Sequence, residues 1–147
     1  MSLLRRSVLA VAAASAFAIP TALTAPAASA APAPAAPAAS STSPFDVTYG
    51  ATYARGTLTW NNRSVTVNGT LRSVSASDCR RVYVSTHDAS DEGRNLGLKS
   101  SSLACNEVKP ISFTVPADVP GGAAYVRVCL ADANDTPLGR CKVYARP

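Results

Sequence analysis

The densest run of chemically capable side chains is Thr86-His87-Asp88-Ala89-Ser90-Asp91-Glu92-Gly93-Arg94-Asn95, with Lys99 a little further on. His87 beside Asp88 has the residue types of a base and its orienter, with Ser85 or Ser90 as the hydroxyl to be activated. A catalytic triad, however, draws its members from separate segments. On a strand His87 and Asp88 would point to opposite faces, so a surface position at a strand end is expected for His87. Asp88, Ser90, Glu92 and Gly93 fall on positions one, three, five and six of a calcium loop, but the position of the bidentate glutamate holds Lys99. No metal is expected there, and 88–104 reads as a solvated connecting loop. With one histidine in 147 residues, no identifiable oxyanion loop and no phosphate-binding motif, neither an enzyme nor a cofactor is expected.

The four cysteines are the other reactive side chains. Their spacings leave 25, 23 and 11 residues between successive members, unlike the close pairs with histidines that hold zinc. Two disulfides are expected, with three possible pairings. Sequential pairing, Cys79 with Cys105 and Cys129 with Cys141, is preferred because the second pair flanks a hairpin and the first closes the long polar loop. If Cys129 lies opposite Cys141, Val128 faces Lys142, so a bulge or an edge twist is expected near Gly139.

These residues need a scaffold, and an oxidising compartment for the disulfides. Residues 1–30 read as a secretory signal: Arg5 and Arg6, an apolar run from Ser7 to Ile19, then Ala28-Ser29-Ala30 before the cut. The apolar run is too short to span a bilayer, which takes roughly 20 residues. Arg5-Arg6-Ser7-Val8-Leu9 also resembles a weak twin-arginine signal, although Leu4 precedes the pair and the general route is favoured. Residues 31–44, from Ala31-Pro32-Ala33-Pro34 to Ser40-Ser41-Thr42-Ser43-Pro44, are expected to be a disordered, partly polyproline spacer. Removing Arg5 and Arg6 with the leader leaves 12 basic against 9 acidic residues, a net of +3. The arginines are scattered, and only Arg80-Arg81 are adjacent, reading as solvated strand-end charges. Nucleic acid is therefore not an expected partner.

Residues 45–147 are expected to form one domain. After Tyr49 the apolar period becomes two: Leu58 and Trp60, a turn at Asn61-Asn62-Arg63, then Val65, Val67 and Leu71. Val82 and Val84, then Ile111, Phe113 and Val115, then Ala124, Val126, Val128 and Leu130 repeat the pattern, with a last strand around Arg140 to Ala145. Trp60 is expected in the core. Six or seven strands and no helix predict an all-β fold, an antiparallel two-sheet sandwich of immunoglobulin-like architecture with two disulfides.

The alanine-rich leader, the Ala-Pro spacer, the run Trp60-Asn61-Asn62-Arg63-Ser64-Val65-Thr66-Val67-Asn68-Gly69-Thr70 and Pro120-Gly121-Gly122-Ala123 together resemble the small exported β-sandwich proteins of actinomycete bacteria. Most of those have no assigned function, so the resemblance implies export and fold and carries no site residues. The enediyne-carrying apoproteins of similar size share a disulfide-bonded sandwich but have closely spaced cysteine pairs. The subtilisin inhibitors of the same bacteria have a reactive-loop motif that does not align here.

The expected function is that of a secreted, extracellular, monomeric binding or interaction module. Its candidate binding loop carries His87, Asp88, Asp91, Glu92, Arg94 and Lys99, and its partner is an extracellular protein or a cell-envelope glycan. The alternative is a protease inhibitor offering Arg94, Leu98 or Lys99 from the 88–104 loop pinned at Cys105.

Overall fold

The computed structural model describes residues 40–90 and 93–147. The expected signal, residues 31–39 of the spacer, Asp91 and Glu92 lie outside the described residues. Eight strands follow in order: β1 Ser41–Tyr49, β2 Thr52–Trp60, β3 Ser64–Arg72, β4 Arg81–His87, β5 Asn95–Ser100, β6 Val108–Pro116, β7 Tyr125–Ala131 and β8 Lys142–Ala145. No helix occurs among the described residues. The strands form two antiparallel sheets, β1-β2-β3-β6 and β5-β4-β7-β8.

Period-two burial builds each inner face. In the first sheet Ser41, Trp60, Val65 and Val115 form one cross-strand row, and Phe45, Gly56, Gly69 and Ile111 another. The paired glycines are required by that second row: a Cβ on Gly56 would lie 2.8 Å from the Phe45 ring and 2.6 Å from the Gly69 Cα. Val82, Val84, Val126, Val128 and Leu130 face them from the second sheet, and all are buried. The outer face of the first sheet is polar, with Thr42, Thr59, Thr66 and Thr114 in one row.

The two sheets are tied along both sides. On one, the Thr86 hydroxyl donates to the Pro116 carbonyl at 2.6 Å, joining β4 to β6. On the other, the Tyr144 hydroxyl accepts from the Asp46 N–H at 3.0 Å and donates to the Asp46 carbonyl at 3.1 Å. It thereby satisfies both backbone groups of one residue on the outer edge of β1.

Three expectations need correction. Residues 41–44 are not spacer: they pair with β2 as the first half of β1. Pro44 is tolerated because β1 is an edge strand, where a missing N–H breaks no inner ladder. Pro110 sits likewise on the edge strand β6. The polar loop 88–104 contains β5, which pairs with β4 from Tyr83↔Ser100 to His87↔Asn95. The strand count is eight, because both missed strands lie at sheet edges.

The two expected disulfides are present, Cys79–Cys105 and Cys129–Cys141, and they account for all four cysteines. Val128 does oppose Lys142. An unbroken ladder would then place Ala131 opposite Gly139, but Ala131 bridges Pro137 instead, so the return strand carries two extra residues around Gly139.

Candidate functional site

Register divides the loops between two ends of the sandwich. The lower end carries the β2–β3 turn, the β4–β5 turn, the β6–β7 loop and Arg146. The upper end carries the β1–β2 turn and the loops 73–80, 101–107 and 132–141.

The candidate loop residues separate between these regions. His87 is buried, with 5% exposure, and not at the surface as expected. Its Nδ1 lies 3.0 Å from the Gly93 carbonyl and its Nε2 lies 2.9 Å from the Ser85 hydroxyl. A carbonyl only accepts, so Nδ1 carries a proton, and in the neutral ring Nε2 is then the acceptor for the Ser85 hydroxyl. This is the geometry of a hydroxyl and its base. Ser85 has only 4% exposure, however, and neither side chain lines the clefts described below. The pair pins the β4–β5 turn onto β4. Asp88 and Arg94 close the same turn with an ion pair at 3.1 Å. Lys99 lies five residues beyond Arg94 on β5, exposed at the sheet edge and roughly 16 Å along the strand. Asp91 and Glu92 lie outside the described residues. Among the described residues no group of three or more acidic, histidine or cysteine side chains could hold a metal ion, and no helix is long and apolar enough to cross a membrane.

The lower end also has an open groove of about 440 Å³ between Asp88, the 120–125 segment and Arg146. The Arg146 guanidinium already donates to the carbonyls of Gly121 and Asn61, so its polar capacity serves to fasten the C-terminal strand.

The upper end is built differently. Loops 73–80 and 101–107 run antiparallel and exchange backbone bonds: Arg80 and Ala104 donate to each other at 2.8 Å, Ser73 donates to Glu107 at 2.9 Å and Asn106 to Ser75 at 2.7 Å. The Cys79–Cys105 disulfide crosses the same pair, with a Cα separation of 4.3 Å. Loop 132–141 is closed at its base by Cys129–Cys141. Within it, Asp132 Oδ1 accepts from the N–H groups of Asn134 at 2.8 Å and Thr136 at 2.9 Å. Arg81 binds this loop to β4 through the Ala133 carbonyl at 3.0 Å and Asp135 at 3.4 Å. The loops enclose a cleft of about 320 Å³ lined by Ser77, Asp78, Arg80, Leu103, Asp132 and Asn134, together with Cys79 and Ala133.

Two carboxylates at this end are held below the usual range. For Asp132 the main cause is the Thr136 backbone N–H, then that of Asn134, the Thr136 hydroxyl and the Arg80 charge, partly opposed by desolvation. For Glu107 it is the hydrogen bond from Lys109, then the Cys105 backbone N–H and the Lys109 charge, again against desolvation. A carboxyl with a depressed folded value contributes stability above its ordinary pKa of about 4 and loses it as pH falls through the folded value. Acid is therefore expected to loosen loops 101–107 and 132–141 before the core. Amide chemical shifts of Cys105, Asn134 and Thr136 should move together below about pH 4, and Asp132→Asn should remove the Asn134 and Thr136 part of that change. Shifts that stay flat to the point of global unfolding would refute it.

Sequence reasoning passed over Arg80 and Asp132. Arg80 reads as one of two strand-end charges, yet its place next to Cys79 was a usable signal, since a disulfide holds its neighbour in a fixed loop. Asp132, two and four residues before Asn134 and Thr136, has the spacing of a side chain that caps its own turn. Compared with protein-family models, curated proteins and solved structures, the chain matches none.

Proposed function

We propose that this chain is a secreted, non-enzymatic recognition domain of immunoglobulin-like architecture, acting outside the cell as a monomer through the upper-end loops. The observation that carries this reading is the braced rim: loops 73–80 and 101–107 are joined by Cys79–Cys105 and by backbone bonds, and loop 132–141, closed on itself by Cys129–Cys141 and fastened to β4 by Arg81, completes a preformed cleft beside them. Binding to such a rim costs little ordering of the loops, and loops on a rigid sheet scaffold are where recognition commonly resides. The architecture is supported by strand order. With β1 set aside, β2-β3-β6 faces β5-β4-β7-β8, the arrangement of the A-B-E and C′-C-F-G strands in that fold. The upper-end loops then correspond in position to the loops that bind antigen in variable domains. Secretion is supported by the leader and the two disulfides.

The inhibitor reading has less support. It needs a free extended segment, whereas residues 95–100 are hydrogen-bonded to β4 and the turn before them is fastened by His87 and Asp88.

The test is a binding screen of the purified exported chain against cell-wall polymers, glycans and culture-fluid proteins, repeated with Asn134→Ala at the upper end and Arg94→Ala at the lower. Binding to one class, weakened by the first substitution and not by the second, is expected. Binding to no class, or binding weakened only by Arg94→Ala, would overturn the assignment.

A further inference from the structure

We infer that the upper-end cleft is a saccharide site in which Arg80 donates to ring hydroxyls of an uncharged sugar; this rests on the recognition-domain reading and specifies its ligand class. The Arg80 side chain is only 18% exposed. Among the described residues its guanidinium makes one polar contact, with Asp78 Oδ2 at 3.8 Å, which is too long for a hydrogen bond. A guanidinium has five N–H donors, and those of Arg80 are not sealed from water, since among the described residues the buried side-chain atom left without a partner is Arg81 Nε. The half-buried group lines a cleft, so acceptors brought by a ligand can replace water on donors that no protein group uses.

The charge around Arg80 decides what kind of acceptor fits. Asp78 and Asp132 line the same cleft, and Arg80 already lowers the Asp132 pKa through its charge. Two carboxylates against one guanidinium leave the cleft with a net charge of −1, which disfavours a phosphate, a carboxylate or nucleic acid. A divalent cation is disfavoured for the opposite reason, because Arg80 is the counter-ion of both carboxylates. An uncharged ligand with many hydroxyls meets neither objection.

The hydrogen-bonding inventory agrees. A sugar hydroxyl donates one bond and accepts others, so it needs donors and acceptors side by side. Arg80 supplies donors, Asp78 and Asp132 supply acceptors, and the Asn134 amide and Ser77 hydroxyl supply both. Leu103 and the Cys79–Cys105 bridge give an apolar wall for the C–H face of a ring. A volume of about 320 Å³ is at the small end of ligand sites, suited to one or two rings and not to a folded partner.

Titration of the exported chain with the β-1,4-linked tetramers of glucose and N-acetylglucosamine and the α-linked tetramers of glucose and mannose tests this, with tetragalacturonate as the anionic control. At least one neutral tetramer is expected to bind with a Kd of about 1 mM or below and to shift the amides of Ser77, Arg80 and Asn134. Arg80→Gln should weaken it by about tenfold to a hundredfold, the usual loss for hydrogen bonds from a charged donor. Asn134→Ala, on an exposed loop tip, should weaken it without lowering the melting temperature, so the test survives if Arg80→Gln disturbs folding. Tighter binding of tetragalacturonate, binding indifferent to Asn134→Ala, or no shift with any neutral tetramer would overturn the saccharide assignment. If the screen meanwhile yields a polypeptide ligand sensitive to Asn134→Ala, only the ligand class fails. If nothing of any class engages the upper end, the recognition reading fails with it.

Discussion

Replacing Trp60 with alanine is expected to lower the unfolding free energy by about 3 to 5 kcal/mol, the range for truncating a large buried aromatic. Trp60 is completely buried, it closes β2 opposite Val65 of β3, and its indole N–H donates to the Ser43 hydroxyl at 2.9 Å. A single domain commonly has only about 5 to 15 kcal/mol in hand, so Trp60→Ala should be folded marginally at room temperature. Trp60→Phe keeps most of the apolar bulk and should cost less. Ser43→Ala removes only the partner of the indole N–H, leaving a buried donor unsatisfied, at about 1 to 3 kcal/mol. Denaturant midpoints for the three variants check the order. The native protein should also show blue-shifted tryptophan emission that acrylamide quenches poorly. An exposed, freely quenched tryptophan, or a Trp60→Ala midpoint equal to that of the parent, would contradict the buried position.

The second large effect concerns the disulfides. In the chain-entropy description a bridge across a separation of 26 residues, as for Cys79–Cys105, contributes about 3.5 kcal/mol, and one across 12, as for Cys129–Cys141, about 2.8 kcal/mol. Their combined worth of about 6 kcal/mol is comparable with the whole stability of a small domain. Reduction of both should therefore unfold the chain or bring its melting point close to room temperature. The double substitution Cys79→Ser with Cys105→Ser should destabilise more than Cys129→Ser with Cys141→Ser. Alkylation without reductant should label no cysteine in the folded protein. A reduced chain that melts within a few degrees of the oxidised one would show that the bridges constrain little.

The strands read most easily from sequence were those with one wet and one dry face. Leu58 and Trp60, Val65 and Val67, and Ile111, Phe113 and Val115 alternate because each lies in a sheet whose inner face is closed. The two missed strands lack that signature for physical reasons. In β5 only Leu96 packs against the core, and Gly97, Leu98 and Lys99 are edge residues facing water or the neighbouring Pro116. The first half of β1 is Ser41-Thr42-Ser43-Pro44, a composition that reads as spacer, yet it pairs with β2 from Ser41↔Trp60 to Pro44↔Thr57 and its Ser43 hydroxyl accepts from the Trp60 indole. The disulfide pairing was legible because each bridge joins segments that a hairpin or a long polar loop already brings together. His87 was not, since what buries it is the turn that folds back to offer the Gly93 carbonyl. The Arg80 and Asp132 cleft could not be assembled from spacing alone: its walls come from loops of three strand pairs, brought together only by the crossings between sheets.

The described chain enters and leaves at the same end. Ser41 opposes Trp60, and Arg146 donates to the carbonyl of Asn61, next along from Trp60. Strands of nine residues at about 3.3 Å each then place the cross-linked rim roughly 30 Å from both points. Joined through Pro147 to a fusion partner, a bead or a surface, the domain acts as a standoff that holds the cleft outward, and a tag fused there starts from the end opposite the cleft.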